Sequence, residues 1–267
     1  MHSMGITTGR HRRTAALAVT AALTAGGLAL GVTSGAADSS AAGRNVPGTV
    51  VVQENEHGRV LTADTAVRDK RALLDAAEEQ RRERRDAAEE PAPDPGGDGD
   101  GGHGDQSGFP VRDQWLVSGR SERITVAGGE GAVAASGDSF VKVPFMEYYA
   151  IFTDTSSSVA WLGKRPFNAD SVQHTDTWNI GSVGAPFWVV GAPEGAEVRS
   201  TGSTAEARWT TTVQDNWYSE HAYDQVAFYP PSQEDYSNVY RISHSVTGTF
   251  QFGSSFYTVT ARDRAYS

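Results

Sequence analysis

YRISHSVTGTFQFG, residues 240–253, alternates apolar and polar side chains along its length. Tyr240, Ile242, Val246, Phe250 and Phe252 fall on one side of an extended chain, and Arg241, Ser243, Ser245, Thr247, Thr249 and Gln251 on the other. That period of two marks a strand with one buried face. His244 shares the apolar side and reads as a packed ring satisfied by one or two hydrogen bonds. Gly253-Ser254-Ser255 then turns the chain into Phe256 to Ala261, where Tyr257, Val259 and Ala261 continue an inward face as the second arm of a hairpin.

Working outward, further strand candidates are Ile124 to Val126, Phe140 to Phe152, Pro186 to Val190, Ala196 to Ser200, Ala205 to Val213 and Gln225 to Tyr229, separated by turn residues. No segment beyond residue 109 keeps a helical period over ten positions. The pattern predicts an all-β C-terminal domain, an antiparallel β-sandwich of immunoglobulin-like or jelly-roll layering.

All 25 Trp, Tyr and Phe residues lie at or beyond Phe109, so residues 109–267 hold the material for a large core. Residues 91–108 are Gly/Asp-rich without an apolar anchor and read as a flexible linker. Residues 62–90 read as a charged helix, capped by Thr62 or Asp64 and stopped by Pro91, with a narrow stripe of Val67, Leu73, Leu74 and Ala77. Residues 38–61 form an arm with one β-prone segment around Val50, Val51 and Val52, which needs a sheet edge to pair with. Residues 1–37 combine Arg10, Arg12 and Arg13 with an Ala/Leu/Val run and a small-residue end, the pattern of a secretory signal peptide.

Removing that leader takes three Arg and no acid, leaving 20 basic and 33 acidic residues, a formal −13. This balance argues against nucleic acid and against anionic lipid as partners. Cysteine is absent, so a secreted product relies on its core rather than on disulfides.

Catalytic signals are weak. Gly137-Asp138-Ser139-Phe140 resembles, over four residues, the serine tetrapeptide of hydrolases of the Gly-Asp-Ser-Leu type. That resemblance implies an α/β fold and a late Asp-x-x-His block; Asp170 and His174 stand one residue too far apart for it. A turn at Gly137-Asp138 accounts for the motif, and Ser139 lacks a recognisable base. His174, His221 and His244 are separated by 47 and 23 residues, without the close pairing of zinc motifs, so no metal and no cofactor is expected. Glu220-His221-Ala222-Tyr223-Asp224 reads as a solvated turn.

The expected function is therefore that of a secreted, non-catalytic adaptor in an extracellular assembly, a surface or toxin complex. It docks a secreted or cell-surface protein through Val50, Val51, Val52, Val67, Leu73 and Leu74. The alternative is a polysaccharide-binding module using Trp161, Trp178 and Trp217 as stacking platforms, because all three sit in polar or turn-rich company. A secreted hydrolase comes third.

Overall fold

The computed structural model describes residues 45–89, 111–121, 123–126, 131–144, 150–183, 187–229 and 238–266. The leader and the 91–108 linker lie outside them. In chain order the elements are β1 (Thr49–Asn55), β2 (Gly58–Ala63), α1 (Lys70–Glu89), β3 (Val111–Arg120), β4 (Ile124–Thr125), β5 (Ala132–Pro144) and β6 (Ala150–Trp161). They continue with β7 (Ala169–Val183), β8 (Trp188–Val190), β9 (Glu197–Thr201), β10 (Thr204–Asn216), β11 (Tyr218–Tyr229), β12 (Asn238–Phe252) and β13 (Ser255–Tyr266). The protein is thus mostly antiparallel sheet with a single helix among the described residues, as the alternation predicts.

One sheet runs β1-β2-β11-β6-β5-β3, with β4 on β5 and β8 on β11; the other runs β13-β12-β7-β10-β9. Their inner faces meet closely. A Cβ added to Gly137 in β5 would lie 2.4 Å from Val246 Cγ2 in β12, so only glycine lets the layers approach there. Two apolar clusters fill the interior, one around Trp161, Val172, Trp217, Val246 and Phe250, the other around Phe152, Trp178, Ile180, Trp209, Phe228 and Ile242.

The opening stretch forms β12, with Ile242, His244, Val246 and Phe250 buried as the period demands. Tyr240 departs from it. The register slips between Val239 and Arg241, so Val239 is buried and Tyr240 turns outward. Phe252 pairs with Ser255 across a two-residue turn in which Gly253 takes φ 59°, a conformation that costs glycine little.

Other expectations need correction. Phe140 to Phe152 is not one strand but the end of β5 and the start of β6, and Gly137-Asp138-Ser139 lies within β5 rather than at a turn. Residues 220–224 lie inside β11 rather than in a turn: Glu220, His221 and Tyr223 are buried, facing either the interior or α1. The strand β7 stands outside the set that the alternation predicts. Thr62 belongs to β2, and α1 starts at Lys70, capped by Asp69, whose Oδ1 accepts the backbone N–H groups of Arg71 and Ala72 at 3.0 and 3.1 Å.

The N-terminal segment is part of the sheet. β1 and β2 form a hairpin, and β2 pairs with β11 through Thr62↔Ser219, Leu61↔Glu220 and Val60↔His221. Helix α1 covers the outer face of the same sheet with Leu73, Ala77 and Arg81, spaced four residues apart. Arg81 donates to Ser158 Oγ at 3.1 Å and approaches Asp138 at 3.9 Å, while Arg85 reaches Asp138 at 3.4 Å. Lys70 tethers the start of the helix: its ammonium donates to the carbonyls of Trp161, Gly163 and Phe167 and lies 4.5 Å from the Phe167 ring centroid.

Candidate functional site

Between the two apolar clusters lies a layer of buried polar side chains. β7 builds its centre: Val172, His174, Asp176, Trp178 and Ile180 all point inward, so the apolar face of this strand is interrupted at two successive inward positions. On one side β12 brings His244 opposite Trp178, and on the other β10 brings Thr211 opposite His174. β11 contributes Ser219, His221 and Tyr223 from the facing sheet; β5 and β6 add Ser139, Thr155 and Ser157.

Asp176 is the hub. Its Oδ2 accepts hydrogen bonds from His221 Nδ1 at 2.5 Å and Ser157 Oγ at 2.8 Å, and its Oδ1 from His244 Nε2 at 2.8 Å. His174 Nε2 lies 3.0 Å from Ser157 Oγ and 3.6 Å from Asp176 Oδ2. Each imidazole also meets a hydroxyl with its far nitrogen: His174 Nδ1 and Ser219 at 3.3 Å, His221 Nε2 and Thr211 at 2.6 Å, His244 Nδ1 and Ser139 at 3.0 Å. The His174 and His221 rings stack at 3.7 Å, and Trp209 covers His221 at 4.1 Å.

Burial opposes the charge on Asp176, yet His174 beside it and the hydrogen bonds from His221 and His244 hold its carboxyl well below the usual range. Burial, reinforced by the neighbouring His221, pushes His174 far below the usual imidazole range. Burial and the Asp176 charge together push the Tyr223 phenol well up. On the outer face of the same sheet, burial raises the Glu220 carboxyl, against the pull of Arg81 and the hydrogen bond donated by Tyr218 at 2.9 Å.

Ser139, His244 and Asp176 form a Ser–His–Asp series, so the base missing from the sequence is supplied by the fold. The ring is reversed relative to a serine-hydrolase triad, with Nδ1 toward the serine and Nε2 toward the acid. Ser139 has no exposed surface, and Thr155 Oγ1 donates to its oxygen at 3.0 Å. The series suits a structural network rather than attack on a substrate.

The residues singled out from the sequence separate into two groups. Val50, Val51 and Val52 lie on the outer strand β1, exposed at 39, 37 and 54%. Val50 and Val52 line a groove of about 610 Å3 between the β1–β2 hairpin and residues 211–216 of β10. Leu73 is buried against the chain's own core, and Val67 and Leu74 pack half-buried beside it. Trp161, Trp178 and Trp217 are buried, so none can serve as a stacking platform. Their polar neighbours misled: Thr177 and Asn179 flank Trp178 because they occupy the opposite face of β7. Trp188, exposed at 66%, went unnoticed, although Phe187-Trp188-Val189-Val190 alternates and sends Trp188 outward.

The fold and its buried node define an all-β protein of two facing sheets with a polar centre. A scan against protein-family models finds no match, and a search of the curated proteins finds no relative.

Proposed function

We propose that this chain is an exported, non-catalytic binding protein: an antiparallel β-sandwich, immunoglobulin-like or jelly-roll in its layering, that takes an extended segment of a secreted or cell-surface partner along β1. The observation that carries this reading is the outer strand β1, which pairs with β2 alone among the described strands and presents three successive exposed valines beside a groove. Strand addition uses backbone groups for affinity and alternate side-chain pockets for selectivity. A register shift at Val51–Gln53 bulges the strand and limits how far a partner can pair. The burial of Ser139 supports a non-catalytic role.

The test is co-purification from culture fluid with the complex kept native, comparing wild type with Val50→Lys/Val52→Lys. Charges on an edge strand block addition, while exposed substitutions move stability by only about 0.5 kcal/mol each. Loss of the partner at unchanged melting temperature is expected; an unchanged partner set overturns the reading. A second reading, polysaccharide binding, rests on exposed Trp188. Failure to sediment with insoluble glycan excludes it, and sedimentation that survives Trp188→Ala removes Trp188 as the platform.

A further inference from the structure

We propose that His174, Asp176, His221 and His244 form a buried site for one divalent transition cation, zinc by preference, which ties the two sheets together. The spacing along the chain gave no reason for such a site. Three strands supply what spacing lacked: β7 carries His174 and Asp176, β12 of the same sheet carries His244, and β11 of the facing sheet carries His221.

The donor atoms converge. Ligand atoms of His174, Asp176 and His221 all lie within 4.8 Å of one another, while His244 Nε2 sits on the other carboxylate oxygen, 2.8 Å from Asp176 Oδ1, and joins the set when that carboxylate turns. Bond lengths of about 2.0–2.1 Å in a tetrahedral zinc site place neighbouring donors about 3.3 Å apart. The His174–Asp176 separation of 3.6 Å is already close to that, and the His221–Asp176 separation of 2.5 Å needs to open by less than about 1 Å. Imidazole nitrogens with one carboxylate favour a borderline cation over calcium or magnesium, which prefer all-oxygen shells.

The surroundings fit as well. An imidazole bound to a metal carries its proton on the far nitrogen and is oriented by whatever accepts that proton. All three far nitrogens face hydroxyls, Ser219, Thr211 and Ser139. A hydroxyl accepts as readily as it donates, so each ring can change tautomer in place. Because Ser157 gives its one proton to Asp176, His174 Nε2 is a donor too, and the protons on His174 Nε2, His221 Nδ1 and His244 Nε2 thereby move to Nδ1, Nε2 and Nδ1, so coordination requires no change in the net charge of the rings.

The site also answers an electrostatic need. Among the described residues Asp176 is paired with histidines and hydroxyls but with no Lys or Arg. A carboxylate in so dry a place gains more from a divalent cation than from neutral donors alone. In a chain without cysteine, such a cross-sheet tie does the work that a disulfide does in other exported proteins.

The test uses the full chain, without a histidine tag, unfolded with chelator and refolded with zinc or cobalt(II). Expected are one equivalent of metal by elemental analysis, visible d–d bands of a four-coordinate nitrogen/oxygen cobalt site, and a melting temperature raised by roughly 10 °C at a thousandfold zinc excess over Kd. His174→Gln/His221→Gln should lose the equivalent, and His57→Gln, outside the cluster, should keep it. Because the double variant could fail to fold, ring nitrogen shifts of the wild type are read by NMR: zinc should move three of the seven histidines. Refolded wild type without bound metal overturns the proposal, and so does a full equivalent with the cobalt bands in the double variant.

Discussion

Replacing Asp176 by alanine tests whether the polar layer holds the core together. Three buried donors lose their acceptor: His221 Nδ1, His244 Nε2 and Ser157 Oγ. A buried donor without an acceptor costs about 1–3 kcal/mol, so the gross loss is roughly 3–9 kcal/mol. Part of it is recovered locally. His244 Nε2 can turn toward Tyr223 Oη at 3.3 Å, and Ser157 Oγ toward His174 Nε2 at 3.0 Å, which leaves His221 stranded. With the small cavity added, a net loss of about 2–4 kcal/mol is expected, a large fraction of the stability of many domains. Asp176→Asn keeps one acceptor oxygen, and a tautomer change at His244 lets Nε2 accept from the new amide, so about 1–3 kcal/mol is expected. Urea unfolding in chelator, followed by tryptophan fluorescence, reads both variants, since Trp178 and Trp209 flank the cluster. An alanine variant within 1 kcal/mol of wild type, or an asparagine variant as damaged as alanine, refutes this reasoning.

Three further outcomes follow from the geometry. Gly137→Ala sets a methyl 2.4 Å from Val246 Cγ2 and 3.0 Å from His244 Cε1; the layers must part, costing about 1–3 kcal/mol as a drop in melting temperature, part of which Val246→Ala should restore. Glu220 has a raised carboxyl pKa in the fold: above about pH 4.5 the unfolded chain gives up its proton while the native state still holds it, so stability falls as pH rises through the native value. Glu220→Gln should flatten that fall, and parallel urea midpoints for the two proteins across this range would contradict the assignment. Arg81→Met removes a guanidinium bonded to Glu78 at 3.0 Å and Ser158 at 3.1 Å; because Arg85 still serves Asp138, a loss of about 2–3 kcal/mol in urea unfolding is expected, and no loss would mean that α1 is not anchored there.

The contrast between β12 and β7 explains what the sequence could reveal. Both alternate, but the inward residues of β12 are Ile242, His244, Val246 and Phe250, a mainly apolar series that period analysis detects. In β7 the inward series runs Val172, His174, Asp176, Trp178 and Ile180, and two titratable groups in its middle erase the signal. The same cause gives residues 220–224 the look of a turn and leaves α1 only a narrow apolar stripe, since Glu220 and Arg81 are charges that face each other's elements rather than water. The histidine cluster was beyond reach for another reason. Its members meet through the pairing Trp178↔His244 in one sheet and through the packing of His221 from the facing sheet onto Asp176, neither of which local spacing encodes. The exposed valines of β1 were legible because nothing in their vicinity contradicts a strand.

The pairing of β2 with β11 joins residues 59–62 to residues 219–222, about 160 positions apart along the chain. On the ribosome the early hairpin is finished long before its neighbour exists, so it must wait, with Val60 and Leu61 uncovered, until most of the polypeptide has been made. Closure of this fold is a late event. A chain built in this order stays pliable through most of its synthesis, and loses that pliability only when β11 arrives.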